Sequence, residues 1–103
     1  MTETQLVSYM ERAAVHQLRA LAYLRDVRNP YATLDALQAR ARLMWALEHA
    51  MRARSLLQQA RDGVERPDLT DELDRHLARL DGVESAVARW LQELGDTLDE
   101  SPG

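Results

Sequence analysis

The sequence contains no cysteine, which excludes disulfide frameworks, thiolate zinc sites and cysteine nucleophiles together. It contains no lysine either: all 13 basic residues are arginine, a codon signature of a GC-rich genome that points to a bacterial or phage source. Glycine occurs only at Gly63, Gly82, Gly95 and Gly103, so neither a phosphate loop nor a dinucleotide fingerprint can be built. No apolar run is long enough for a membrane span. The opening stretch MTETQLVSYMERAAVHQLRALAYL lacks the basic start of a signal peptide, and a cytoplasmic location is expected.

What is present suits one folded domain. The chain has 103 residues, of which 46% are hydrophobic and 29% charged, enough for one modest core and too apolar for disorder. The formal net charge of −4 is unevenly spread. Residues 1–66 hold ten Arg against seven acids, and residues 67–103 hold three Arg against ten acids. This asymmetry fits an acidic helix lying on two basic ones, or a two-faced surface that selects a partner or orients a dimer.

Two prolines divide the chain into three apolar-periodic segments. Leu6, Met10, Ala13, Leu21 and Leu24 recur at helical spacing and predict a first helix over about 2–27. The stretch RNP ends it, and either Asn29 or Thr33 is expected to cap a second helix over about 32–62. The tetrapeptide DGVE occurs twice, at 62–65 and 81–84. The first copy precedes Pro67 and reads as a terminator, with Gly63 in a left-handed turn and Asp68 or Thr70 capping a third helix over about 68–98. The second copy lies inside a stripe of Leu69, Leu73, Leu77, Leu80, Val83, Val87, Leu91, Leu94 and Leu98 that never loses phase, so helix three is expected to run through Gly82. Residues 99–103 read as a disordered tail. The fold class expected is all-α, three long antiparallel helices in a bundle that associates as a homodimer.

Helix two carries more apolar surface than such a bundle needs. Leu37, Leu43, Met44, Leu47, Met51 and Leu57 read as its main face, bordered by Arg40 and Arg54. Leu34, Ala41, Trp45 and Leu56 form a second stripe, which is the candidate protein interface. Polar residues also fall within the stripes: Gln17 in the first, and His76 and Glu84 in the third, either buried or reaching out from the rim. Up-down-up topology places Arg54 near the height of His76 and Glu84 near that of Leu47.

Chemical motifs are missing. His16, His49 and His76 lack the Glu-x-x-His spacing of di-iron bundles, since Ala13, Ala46 and Leu73 precede them by three. No metal site, no cofactor and no catalytic residue is assigned, although Glu72 and His76 stand at a chelating i, i+4 spacing. Basic residues give a thin nucleic-acid footprint: Arg42, His49 and Arg52 on one flank of helix two, Arg12 and Arg19 on one flank of helix one.

The stretch YMERAAVHQLRALAYLRDV resembles the N-terminal docking coiled coils of modular polyketide synthases through Tyr9, Met10, Arg12, Leu24 and Arg25, over about a quarter of the chain. The resemblance implies that helix one is an association element. The function expected is that of a small non-enzymatic protein-interaction module: an adaptor, regulator or secretion-type chaperone acting through helical faces on a protein partner. A nucleic-acid-associated regulator with an Arg-lined dimer surface is the alternative, and a small bundle enzyme or metal carrier comes third.

Overall fold

The computed structural model describes residues 1–31 and 33–100, with side chains as far as Asp96. Helix starts are set by short polar side chains that take up free backbone N–H groups. Helix α1 (Glu3–Arg28) begins at Thr2, whose hydroxyl accepts from the Gln5 N–H at 3.1 Å while Gln5 Oε1 accepts from the Thr2 N–H at 2.9 Å. Helix α2 (Ala36–Gly63) repeats the device at Asp35 and Gln38, at 2.8 and 3.1 Å. Neither Asn29 nor Thr33 caps α2, because Asp35 offers a carboxylate with Gln38 three residues on. Asn29 instead accepts the Tyr31 N–H at 3.0 Å and shapes the connection.

Helix α3 (Pro67–Glu100) begins at Pro67 itself, where a missing N–H costs nothing. Asp68 and Thr70 are therefore inside the helix rather than caps, and the Thr70 hydroxyl donates back to the Arg66 carbonyl at 3.1 Å. The first DGVE does end α2, but not by a left-handed glycine: no glycine among the described residues has positive φ. Chain direction changes at Val64, which is extended at φ −96°, ψ 134°. What Gly63 supplies is room, since a Cβ there would stand 2.7 Å from Met1 Cε. The second DGVE is helical throughout, and α3 is continuous across Gly82. Of the expected tail at 99–103, residues 101–103 lie outside the described residues, and α3 extends to Glu100.

The helices are antiparallel, with α2 in the middle. It packs along both α1 and α3, which make no comparable contact with each other, and the molecule measures 56 × 21 × 18 Å. The α1–α2 seam is built from small residues at seven-residue intervals. Leu6, Ala13 and Ala20 on α1 are buried, as are Ala46, Ala53 and Ala60 on α2, with Ala50, Leu43, Leu56 and Leu57 beside them. Alanines at this spacing keep one seam facing the neighbour and let helix axes approach to ~8 Å. On α3 the expected stripe is the core face as far as Leu94: Leu73, Leu80 and Val87 are fully buried, and Leu69, Leu77, Val83, Leu91 and Leu94 pack around them. The side chain of Leu98 lies outside the described residues.

The alanine seam corrects the expected faces. Leu37, Met44 and Met51, read as part of α2's inner face, point outward, while the inner face is carried by Leu43, Leu57 and alanines. Leu21 of α1 is likewise exposed, because Ala13 and Ala20 set the inward direction. Arg54 does not face His76. It pairs with Asp81 and Glu84, both at 3.2 Å, and His76 stands 4.0 Å from Glu72 of its own helix. Glu84 and His76 are both half-buried, and Glu84 Oε1 is shielded without a hydrogen-bond partner among the described residues.

Candidate functional site

Because α1 and α3 both cover one side of α2, the opposite side stays open. Leu37, Met44 and Met51 stand there at seven-residue intervals with exposures of 67%, 51% and 56%, with Ala41 and Glu48 between them and Ser55 one turn beyond Met51. Trp45, 47% exposed, borders this row on the α1 side. Met44, Met51 and Trp45, with Leu47 of α2 and Leu91 and Gly95 of α3, line an open groove of about 1020 Å³, and Leu37 stands beyond its end. One ion pair crosses its floor, Arg52 to Glu48 at 2.7 Å, and Arg40 stands at its edge.

The four residues expected to form the interface do not share one open face. Ala41 and Trp45 line the groove, Leu34 is half-buried in the connection before α2, and Leu56 is buried at 8% exposure in the main core. Leu56 is lost from the surface because α1 packs closely enough over the alanine seam to cover it. The residues missing from the expected set are Leu37, Met44 and Met51. Their signal was their seven-residue period, in step with Ala39, Ala46, Ala53 and Ala60 on the opposite side of the same helix.

A second surface forms where α1 and α2 meet on their other flank. His16 Nδ1 and His49 Nδ1 are 3.0 Å apart, so one imidazole donates and the other accepts. Their rings stack at 5.2 Å between centroids. Tyr23 lies nearly parallel to His49 at 5.9 Å and tilted against Trp45 at 5.5 Å. Burial holds the His16 pKa below its ordinary value, helped by the adjacent His49 ring and by the cations Arg52, Arg19 and Arg12. Arg12 also sits over the Tyr9 ring at 5.7 Å. The two thin basic flanks read from the sequence are thus joined into one strip, apart from Arg42, whose guanidinium donates to the Gln38 carbonyl at 3.3 Å.

Acidic groups gather elsewhere. On the α2–α3 joint Arg61 is held bidentately by Asp74, which lowers the Asp74 pKa through that hydrogen bond, and Arg54 is shared by Asp81 and Glu84. Among the described residues no three His, Cys, Asp or Glu side chains converge as metal ligands, and no helix is long and apolar enough to cross a membrane. No family model, curated protein or solved structure matches the chain.

Proposed function

We propose that this chain is a protein-interaction module whose outer α2 face is covered by a second copy of itself. The observation that carries the reading is the row Leu37, Met44 and Met51 with Trp45 beside it, about half exposed or more in the isolated chain. Taking ~150–200 Å² for a fully exposed large side chain, these four leave roughly 300–450 Å² of apolar surface open per chain. Covering it contributes on the order of 8–11 kcal/mol per chain at ~25 cal/mol per Å², against ~4–15 kcal/mol of association cost. Stable interfaces cover about 800 Å² per partner, so the flanking Arg40, Ser55 and Gln59 belong to the contact as well.

A twofold pairing of α2 with its mate suits the charge pattern. Glu48, between Met44 and Met51, is paired with Arg52 just beyond Met51, so these two charges enter the contact already neutralised. The role that follows is that of an adaptor or regulator presenting helical surfaces, with no catalytic group assigned. Sedimentation at micromolar concentration tests this: a dimer for the native chain and a monomer of unchanged helicity for Met44→Glu. A native chain that stays monomeric up to high micromolar concentration would remove the self-association reading.

A further inference from the structure

The strip on the α1–α2 flank carries Tyr9, Arg12, Arg19, Tyr23 and the His16–His49 pair, which lie outside the outer face of α2. It shares Trp45 and Arg52 with the edge of that face, so a second copy and a ligand of the strip compete for those two side chains. Arg12 and Arg19 are exposed, stand seven residues apart on α1, and have no carboxylate partner among the described residues. Arg52 faces them from α2, held by a single carboxylate, Glu48. Between these cations lie planar rings: Tyr9 beneath Arg12, then the His16–His49 pair, then Tyr23 against His49 and Trp45 against Tyr23. From Tyr9 to Tyr23 the strip is ~21 Å long at ~1.5 Å per residue.

We infer that this strip binds single-stranded nucleic acid, with phosphates on Arg12, Arg19 and Arg52 and bases stacked on Trp45 and Tyr23. Cations that follow a backbone, alternating with rings that accept any base, are the means by which single strands are held without sequence preference. An acidic amphipathic helix is the competing occupant, and the floor of the strip argues against it. Such a helix needs an aliphatic trough, and here the floor is imidazole and phenol. The aliphatic trough of this molecule is the groove lined by Met44, Met51 and Leu91, beyond Trp45. The net charge of −4 is no obstacle, because Asp74, Asp81 and Glu84 lie on the opposite flank of α2, paired with Arg61 and Arg54.

The test is fluorescence anisotropy of a labelled oligothymidylate of about twelve nucleotides, within the ~4–16 that single-strand sites span. A labelled polyglutamate of the same length serves as comparator. For about three phosphate contacts, affinity should fall roughly 20-fold between about 50 and about 200 mM salt. The Arg12→Gln/Arg19→Gln variant should bind at least about tenfold more weakly at the lower salt and lose only roughly 3-fold over the same range. Both positions are exposed, and circular dichroism verifies that helicity is kept. Arg75→Gln/Arg79→Gln, on the far helix, should bind like the native chain. Absence of saturable binding at the lower salt overturns the inference. So does equal binding of polyglutamate, or an equal loss in both double variants. The strip lies within one chain, so a monomer in sedimentation leaves this test readable, and if the native chain dimerises the same titration on Met44→Glu, with Trp45 and Arg52 uncovered, decides it.

Discussion

Replacing Ala53 by Leu sets two effects of known size against each other. Three added carbons bring a transfer gain of ~2.4 kcal/mol at ~0.8 kcal/mol each, if the site can open to receive them. Ala53 is fully buried, with Ala13 and Ala20 of α1 in the same core and Ala46 and Ala60 one heptad away on either side. The side chain can then enter only if the helices separate and the neighbouring alanines lose contact. Overpacking of this kind typically costs ~1–3 kcal/mol net. We expect Ala53→Leu to lower stability by that amount, a fall in Tm of roughly 5–20 °C for a chain of this size. Thermal melting followed by far-UV circular dichroism, at one fixed protein concentration, measures it. Ala14→Leu, one position along on the solvent side of α1, should change stability by less than ~0.5 kcal/mol. A higher Tm for Ala53→Leu would show that the seam is loose and that alanine there is incidental.

Three further outcomes are expected. Gly82→Ala should stabilise by ~0.5–1 kcal/mol, because α3 is helical there and an added Cβ meets nothing within 4 Å; destabilisation in a denaturant melt would contradict it. The folded His16 pKa lies below the ordinary 6.5, so the unfolded chain takes up its proton first as pH falls. Its contribution is therefore intact above about pH 6.5 and declines below it, and His16→Gln should flatten Tm against pH between about 7.5 and 5.5; an unchanged slope would refute this. Protein purified without an affinity tag should contain no stoichiometric zinc, iron or manganese by elemental analysis, and a chelator should leave Tm unchanged, since among the described residues no three potential ligands converge.

The sequence showed most where the signal was leucine and proline. The phase from Leu69 onward carried α3 through Gly82, and Pro67 marked the start of that helix. It misled where the core depends on alanine. Counting only large side chains placed Met44 and Met51 inside and Leu56 outside, because the inner row of α2 is Ala39, Ala46, Ala53 and Ala60. A row of alanines carries little hydropathy, but it decides how closely a helix can be approached and therefore which neighbours become covered. Cap positions failed for a different reason. Asn29, Thr33 and Asp35 all have capping side chains, and the choice fell to Asp35 through its pairing with Gln38. The joining of Arg12 and Arg19 with Arg52 across the His16–His49 contact was not legible at all, since it depends on the rotation of α1 about α2 that the alanine seam imposes.

The outer face of α2 can be read residue by residue in solution through its methionines. Met44 and Met51 lie in the row proposed to meet a second copy, while Met1, 51% exposed, and half-buried Met10 lie at the far end of α1. Peroxide oxidation followed by peptide mass spectrometry, over a dilution series from high to low micromolar protein, gives a rate for each. Met44 and Met51 should react several-fold more slowly at high concentration and recover on dilution, with Met1 and Met10 constant. Four rates that stay the same at every concentration would mean that no second copy covers the outer face of α2.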